Sequence, residues 1–474
     1  MWQRCHTSGE GKNVSGLLAG VDVGTTNCKV GVYTVDGTAV VERRRPTPAD
    51  AGNLVSGVLD DLRLCVETAG APDAVGVTGV AEGGLPLDDD LLPMGPMLWW
   101  HDKRAAGEAG WLAERVGRAA IFERTGVHVS ARTPLASWLW LRRHQPALLD
   151  RMRVWVGIPE LVATVLAGTP LAHRTFAGRS GAYDQLADRW DDDLLDLAGV
   201  RAGQLAAQQV GPAAAGPLPV GTPVVVAGHD HLVAAHAAGA REPGDVVDSL
   251  GTAEAVVTVS ERVAPRTAAG TGTSWNRTAD GTRWAMVSGY PHCGRLLEWL
   301  CSLASPAGDV AGLEKATAAV DRRPTGIVVL PYLEGLGAPA PDPHRRLTVH
   351  DLAPGQGLPD VLVGALEGAS YHARWLAEHH AELTDTKLHA VTVLGGPSRG
   401  AAWMTVKAHV MPGPVRTTAT ADAACAGAAL LAGVATGRPA PVLRSDVLAR
   451  DDLLADRYDA IYRGGFLPRV REVA

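Results

Sequence analysis

Short apolar runs that end in glycine recur along this chain. Residues 17–24 (LLAGVDVG) form one such run, and residues 29–37 (KVGVYTVDG) alternate apolar and polar positions up to an Asp-Gly turn. The two runs predict strands of a β-hairpin whose tip is the polar sequence Gly-Thr-Thr-Asn. Apolar residues at helical spacing then predict a helix over 52–67, and a further apolar run predicts a strand at 74–79.

The strand–turn–strand pattern appears again about half a chain later. Residues 246–259 repeat an apolar strand, a Gly-Thr turn and a second apolar strand, whereas 105–200 is predicted as mostly helical. The other predicted elements are strands at 222–227, 327–330 and 390–394, and helices at 231–240, 361–379 and 421–436. We therefore predict two similar α/β halves.

Composition adds size and environment to this picture. The 474 residues are 46% hydrophobic and 20% charged, and such a length exceeds the roughly 250–300 residues of a single core. A net charge of −7 disfavours a nucleic-acid partner. No apolar run approaches the roughly 18 residues of a membrane span, and six cysteines without a CxxC pair fit a reducing compartment. We expect a cytoplasmic protein without a membrane partner.

The first predicted turn carries groups that suit a polyphosphate. Backbone N–H groups, hydroxyls and one cation come together from Gly24, Thr25, Thr26 and Lys29. Asp22, at the end of the preceding strand, could hold a hydrated Mg²⁺. The alternative is a plain β-turn. The turn at Gly251 and Thr252 has the same composition, and the two together suggest phosphate-binding turns that face each other across a cleft.

A carboxylate follows the predicted strand 222–227. Such a carboxylate points into the crevice where α/β proteins bind ligands, so Asp230 could act as a general base towards a hydroxyl. On an extended chain, His229 and His231 would converge but Asp230 would face the other way. We therefore expect ordinary surface or packing histidines here rather than a metal site.

Two further segments carry weaker chemistry. Glycines after the strand 390–394 would let a flat ring or a phosphate approach, although a simple turn is the alternative; the segment contributes Gly395, Gly396, Ser398 and Arg399. In the loop regions around 80–104, Glu82 and Asp102 could accept hydrogen bonds from a polyol, with Trp100 as an apolar wall. Salt bridges on a solvated loop are the alternative for the second segment.

In this order, the motifs resemble those of the FGGY family of carbohydrate kinases, in the actin-like, RNase H-like ATPase superfamily. The resemblance covers about residues 17–440 and includes AGVDVGTTNCKVGVY, GTPVVVAGHDHLVAA, PGDVVDSLGTAEAV and VLGGPSRGAAW. It implies an α/β fold of two actin-like (RNase H-like) domains with a central nucleotide and sugar cleft. The predicted division is a disordered segment at 1–16, a sugar-binding domain at 17–242, a nucleotide-binding domain at 243–440 and a helical tail at 441–474.

The resemblance also implies roles for individual residues, with ATP and Mg²⁺ as cofactors. Asp230 falls on the catalytic base and Asp22 on the acid that assists Mg²⁺ through water. ATP-binding positions fall on Gly24, Thr25, Thr26, Lys29, Gly251, Thr252, Gly395, Gly396, Ser398 and Arg399. Acceptor-binding positions fall on Ala81, Glu82, Trp100, Asp102, Arg104, Asp230 and His231.

The acceptor loop departs from the family patterns. Pentulose kinases often carry Gln-Met-His-Gly and glycerol kinases an Arg-Glu pair, whereas this chain has Val80-Ala81-Glu82-Gly83. The missing arginine argues against glycerol. We expect an ATP-dependent kinase of a small sugar or polyol, and we favour a pentulose or deoxyhexulose such as xylulose or fuculose. The alternative is a catalytically silent, actin-like nucleotide-binding regulatory protein. The resemblance also allows a homodimer.

Overall fold

The structure, a computed structural model, describes residues 16–206, 208–214, 216–251, 253–290, 293–321, 323–420 and 422–472. The predicted disordered segment 1–16 lies outside these ranges except for Gly16. The strands are β1 (Leu17–Val23), β2 (Asn27–Thr34), β3 (Ala39–Pro46), β4 (Ala74–Gly79), β5 (Gly84–Leu87), β6 (Val154–Gly157), β7 (Tyr183–Asp184), β8 (Arg189–Trp190), β9 (Val210–Pro212), β10 (Pro223–His229), β11 (Val246–Leu250), β12 (Glu254–Ser260), β13 (Ser274–Arg277), β14 (Trp284–Tyr290), β15 (Val328–Leu330), β16 (Thr348–His350), β17 (Val391–Leu394), β18 (Val415–Thr418) and β19 (Ser445–Val447).

The α-helices connect and cover these strands. They are α1 (Ala51–Ala69), α2 (Ala106–Leu112), α3 (Arg118–Thr125), α4 (Pro134–His144), α5 (Pro146–Arg151), α6 (Ile158–Ala167), α7 (Arg174–Ala177), α8 (Asp192–Ala198), α9 (Asp230–Ala237), α10 (Cys293–Ala304), α11 (Val310–Ala318), α12 (Leu358–Thr384), α13 (Ala401–Val410), α14 (Ala423–Ala435), α15 (Asp452–Ile461) and α16 (Leu467–Arg471). Short 3₁₀ helices lie at Ala202–Gln204, Arg266–Ala268 and Gly396–Arg399, and π-helical turns at Ala113–Gly117 and Tyr462–Phe466.

The first sheet has the strand order β3-β2-β1-β4-β10-β9. β1 pairs antiparallel with β2 along the whole length of β1, which confirms the predicted hairpin. β4 joins β1 in parallel, and β10 joins β4 in parallel. Side chains on both faces of β1 are buried in hydrophobic clusters, which explains why its sequence is an almost uninterrupted apolar run.

The second sheet repeats this plan with the order β13-β14-β12-β11-β17-β18-β19. A hairpin, β11–β12, is again followed by two parallel strands, β17 and β18, and by an antiparallel edge strand, β19. The prediction of two similar α/β halves is therefore confirmed. The domain limits given above stay predictions.

Local sequence accounts for the longest helix of the first half. In α1, the side chains of Leu54, Val58 and Leu62 are fully buried, at the spacing that predicted the helix. The side chain of Asp50 accepts a hydrogen bond from the N–H of Asn53 (2.9 Å) and so caps the first turn.

Helix α14 joins the two halves, because it belongs to the second half in sequence yet packs against β1, β4 and β10 of the first sheet and against α9. A Cβ added at Gly20 would overlap the carbonyl group of Cys425, and one at Gly76 would overlap that of Ala428. Glycine at both positions lets the helix backbone lie directly on the strands.

Two segments predicted as helical also contain strands. The segment 105–200 contains β6, β7 and β8, which are only two to four residues long, too short for a period-2 pattern to be visible. The segment 441–474, predicted as a helical tail, begins with β19 at the edge of the second sheet before α15 and α16. Among the described residues, none of the helices combines the length and hydropathy of a membrane span.

The contact between α14 and β4 is testable by adding one methyl group. Gly76→Ala should lower the melting temperature, because overpacking at a backbone contact costs about 1–3 kcal/mol. Gly107→Ala is the matched control: Gly107 lies in α2, and among the described residues nothing lies within 4 Å of the added Cβ. The control should leave the melting temperature unchanged or slightly higher. Equal melting temperatures for the two variants, measured by circular dichroism, would contradict the close contact.

Candidate active site

Three parallel strands of the first sheet end side by side, and their ends carry predicted catalytic residues. Val23 of β1 pairs with Gly79 of β4, which pairs in turn with His229 of β10. Asp22 therefore lies at the end of β1, and Asp230 directly follows β10. The carboxyl edge of parallel strands is where α/β proteins bind ligands.

The turn that presents Asp230 is fixed by hydrogen bonds. Gly228 has a φ of +115°, and a Cβ there would lie 2.6 Å from Oγ1 of Thr175, so glycine is required. The hydroxyl of Thr78 donates to the carbonyl of Gly228 (2.6 Å), and Oγ1 of Thr175 accepts from the N–H of His229 (2.9 Å). The peptide group between Gly228 and His229 is therefore held at both its C=O and its N–H, immediately before Asp230 begins α9.

Two histidines flank the Asp230 carboxylate. Its Oδ1 accepts a hydrogen bond from the N–H of His231 (2.7 Å) and lies 3.3 Å from Nε2 of His229. The expectation that Asp230 would face away from the histidines was wrong, because the chain turns into a helix at Asp230 and the extended alternation ends there. The ligand atoms of all three side chains lie within 4.8 Å of one another.

The buried His229 does not suit a metal in spite of this convergence. Burial first, and then electrostatic interaction with His231 and Arg179, lowers the pKa of His229 well below its usual range. The imidazole is therefore neutral, and its Nδ1 has no hydrogen-bond partner among the described residues. A metal on Nε2 would place the proton on Nδ1, where such ligands normally have an acceptor. An Nε2–H that faces Asp230 fits better.

The buried Asp22 and the half-buried Lys29 form an ion pair beside the first turn. Nζ of Lys29 lies 3.2 Å from Oδ2 of Asp22 and 2.8 Å from Oδ1 of Asp422, which precedes α14. Burial raises the pKa of Asp22 to about 6; Lys29 opposes the rise and the nearby Asp230 adds to it. Burial alone would lower the pKa of Lys29, but the two carboxylates raise it above its usual range. Sequence reasoning missed Asp422, although an Asp before an Ala-rich helix is a cap signal.

The first turn is open to solvent at Thr25 and Thr26. The N–H of Gly24 donates to the carbonyl of Asn27 (3.1 Å), which closes the turn. The indole Nε1 of Trp100 donates to the hydroxyl of Thr25 (2.9 Å). The structure therefore places Trp100 at the predicted phosphate turn.

Asp102 and Arg104 bind each other. Nε of Arg104 donates to Oδ2 of Asp102 (2.8 Å), and its backbone N–H donates to Oδ1 (2.9 Å). Burial works in the opposite direction, but these bonds hold the pKa of Asp102 below its usual range. The pair matches the salt-bridge alternative that the sequence left open.

Glu82 is paired with an arginine that sequence reasoning did not single out. Ala81 is buried, and Glu82 has a left-handed φ of +70°. The carboxylate of Glu82 forms an ion pair with the guanidinium of Arg179, which also donates to Oγ of Ser274 (2.6 Å). No local pattern marks Arg179, since most basic residues of this chain are arginines.

In the second sheet, the ends of β11 and β17 bring Gly251 and Gly395 together. Gly395 has a φ of +94°, and a Cβ there would overlap the carbonyl of Leu250. The hydroxyl of Ser398 donates to the carbonyl of Gly395 (2.7 Å), and Gly396 and Arg399 are exposed. The predicted site residue Thr252 lies outside the described residues.

A buried ionic cluster lies on the strands that bear Gly251. Nζ of Lys407 forms an ion pair with Asp248 and lies 3.0 Å from Oε1 of Glu254, and all three side chains are fully buried. Burial raises the pKa of Glu254; Lys407 opposes this and Asp248 adds to it. A protonated Glu254 leaves one cation and one anion in the cluster.

Comparison with known proteins places the chain in context. Models of the N- and C-terminal domains of the FGGY family of carbohydrate kinases match residues 67–237 and 246–436. A xylulose kinase of Streptomyces rubiginosus is 27% identical over 453 residues, which are 90% of each chain. A gluconokinase of Bacillus subtilis is 21% identical over 90% of this chain and 88% of its own.

Solved structures show the same fold. The xylulose kinase from Rhodospirillum rubrum superposes with a TM-score of 0.85 at 24% identity, over 96% of this chain and 98% of its own. The glycerol kinase from Plasmodium falciparum, solved with ADP, gives 0.85 at 15% identity, over 97% and 99%. The predicted actin-like α/β fold class is confirmed.

The buried ionic cluster of Asp248, Glu254 and Lys407 leads to a testable prediction about stability. Lys407→Met should cost about 3–5 kcal/mol, because it leaves the buried carboxylate of Asp248 without its cation. Glu254→Gln should be tolerated, since it mimics the protonated acid. Because the folded state holds a proton that the unfolded state releases above pH 4.5, the contribution of Glu254 to stability falls as pH rises.

The pH dependence of the melting temperature distinguishes a protonated Glu254 from a residue that stabilises the fold only by packing. The melting temperature of the wild type, relative to Glu254→Gln, should fall between pH 5.5 and pH 8 in differential scanning calorimetry. A constant difference over this range would show that Glu254 is ionised throughout.

Proposed function

We propose that this chain, which belongs to the FGGY family of carbohydrate kinases, phosphorylates a pentulose or a deoxyhexulose with Asp230 as the catalytic base. The chain is an ATP-dependent sugar or polyol kinase, a phosphotransferase with an alcohol group as acceptor. The observation that supports this proposal most directly is the position of Asp230. It lies at the end of β10, and it is close enough to Asp22 to raise the pKa of Asp22.

The geometry suits proton transfer from an acceptor hydroxyl. Among the described residues, the contacts of Asp230 with His229 and with the N–H of His231 both involve Oδ1, which leaves Oδ2 for the hydroxyl. A base must lie within hydrogen-bond reach of the proton that it takes. Phosphoryl transfer needs little covalent catalysis. The enzyme therefore accelerates it mainly by aligning the hydroxyl and neutralising charge.

The ATP site follows from the two turns. Lys29 and the N–H and hydroxyl groups of the first turn would bind the β- and γ-phosphates; these residues are Gly24, Thr25, Thr26 and Lys29. The second turn and the glycines after β17 would bind the rest of the nucleotide; these residues are Gly251, Thr252, Gly395, Gly396, Ser398 and Arg399. N–H groups at such turns bind anions.

Asp22 fits a hydrated Mg²⁺. Its Oδ1 is buried and has no hydrogen-bond partner among the described residues, whereas Oδ2 is held by Lys29. Mg²⁺ keeps several waters and uses one or two carboxylates together with phosphates. When bound, the cation would neutralise phosphate charge, and Asp22 would hold it through water.

The choice of acceptor rests on the loop and on relatives. Two curated relatives at 26–27% identity are named xylulose kinases, and Glu82 offers a carboxylate for hydroxyls, with Ala81, Trp100, Asp102, Arg104 and His231 as the other proposed acceptor residues. The silent alternative is not favoured, because Asp22, Lys29 and Asp230 are all present. A homodimer and a cytoplasmic location stay predictions.

An acceptor screen tests the function. ATP turnover with Mg²⁺ should rise on addition of xylulose or fuculose above the rate with water. Asp230→Asn should lower kcat for the best acceptor by about 10²–10⁴-fold, because general-base catalysis contributes about that much. ATP binding, measured by calorimetry, should stay within a few fold. Normal turnover by Asp230→Asn would refute the base, and no stimulation by any sugar or polyol would refute the proposed function.

The raised pKa of Asp22 predicts a pH-dependent need for Mg²⁺. With a pKa of about 6, Asp22 loses its charge as pH falls below 6, so the apparent affinity for Mg²⁺ should weaken about tenfold between pH 7 and pH 5. Asp22→Asn should bind Mg²⁺ weakly at both pH values. Because ATP protonation affects both proteins alike, the difference between them isolates Asp22. Parallel pH profiles would contradict the assignment.

A further inference from the structure

Arg179 lies in the acceptor region but belongs to none of the predicted site positions. It follows α7, and its guanidinium forms an ion pair with Glu82 and donates to Oγ of Ser274 (2.6 Å). The side chains of Arg179 and Glu82 are only 16% and 11% exposed. Ser274 belongs to β13 of the second sheet, so Arg179 is held from both halves of the fold.

The guanidinium also has unused hydrogen-bonding capacity and lies near the catalytic base. Nε of Arg179 is buried without a hydrogen-bond partner among the described residues. Arg179 lies just after α7, in which Oγ1 of Thr175 accepts a hydrogen bond from the N–H of His229 (2.9 Å), and Nε2 of His229 lies 3.3 Å from Oδ1 of Asp230. The charge of Arg179 is also among the causes that lower the pKa of His229, after burial and His231. Arg179 is therefore close to the position at which the reacting hydroxyl would bind.

We propose that Arg179 and Glu82 together bind two adjacent hydroxyls of the acceptor and select neutral sugars and polyols over sugar acids. This inference rests on the proposed kinase function. A guanidinium only donates and a carboxylate only accepts, whereas a hydroxyl does both. One hydroxyl can therefore accept from Arg179 while its neighbour donates to Glu82, and a vicinal diol satisfies both side chains.

The charge balance explains the selectivity. Glu82 already neutralises Arg179, so an acceptor carboxylate near the guanidinium would also lie beside a second negative charge. Like charges in a site that is largely shielded from water disfavour the wrong ligand strongly. A free arginine would instead favour an acid through a bidentate pair.

The pair is held ready for binding. The left-handed φ of Glu82 is a conformation that non-glycine residues keep only where the surrounding structure enforces it. The bond to Ser274 limits the rotamers of Arg179. Both side chains therefore lose little further freedom when an acceptor binds.

The first test measures selectivity with glucitol and gluconate, which differ only in whether C1 is an alcohol or a carboxylate. In Glu82→Gln, the ratio of kcat/KM for gluconate to that for glucitol should rise about tenfold, because Arg179 is no longer neutralised. In the double variant Glu82→Gln/Arg179→Met, the ratio should return towards that of the wild type. An unchanged ratio in Glu82→Gln, or a gain that persists without Arg179, would overturn the selectivity.

The second test separates binding from structural support. Arg179→Met should raise KM for the best acceptor of the screen at least about tenfold and leave KM for ATP within about twofold. Arg179→Lys should restore only part of the loss, since lysine lacks the bidentate geometry. Ser274→Ala, which removes the support but keeps the ion pair, is the matched control and should change acceptor KM by less than threefold.

The outcomes distinguish this inference from the proposed function. Turnover by the wild type together with an unchanged acceptor KM in Arg179→Met would overturn the role of Arg179 and leave the kinase assignment intact. If the wild type turned over no sugar or polyol, both would fall.

Discussion

Direct backbone contact between α14 and the first sheet is the constraint on which the arrangement of both halves depends. Gly20 and Gly76 present no side chain, so the carbonyl groups of Cys425 and Ala428 lie against the strands. Small residues on both surfaces allow the helix and strand backbones to approach closely, as the crystal-like packing density of protein interiors requires. The same helix is preceded by Asp422, which reaches Lys29 in the first half. One contact therefore joins the halves and aligns charged groups from both at one site.

Charge in and around the site is balanced in small local sets. Lys29 lies between Asp22 and Asp422, Arg179 is paired with Glu82, and Lys407 with two carboxylates. Burial of an unpaired charge is costly, so such groups need partners. Near the site, Oδ1 of Asp22 and Nε of Arg179 have no hydrogen-bond partner among the described residues, and the proposed cation and acceptor would complete the bonding of these two atoms.

Features with a local signature could be predicted from the sequence. The hairpin β1–β2 and its repeat in β11–β12 appear as apolar runs around Gly-Thr turns, and Asp230 is visible because it follows a strand. Pairings over long sequence separations could not be predicted: Arg179 and Glu82 are 97 residues apart, and Lys407 and Asp248 are 159 apart. The histidines converge on Asp230 because α9 begins at that residue. The residue at which a helix begins is among the features that a sequence pattern predicts least well.

The origin of α14 late in the chain has a consequence for how the protein is made. The glycine-lined face of β1 and β4 is covered by residues 423–435, which the ribosome produces long after the strands themselves. During synthesis, the first half therefore keeps an incomplete apolar surface, at a stage when such surfaces promote aggregation. A nascent first half needs protection until the final quarter of the chain emerges, and a fragment that stops at the end of the first half would expose the same surface permanently.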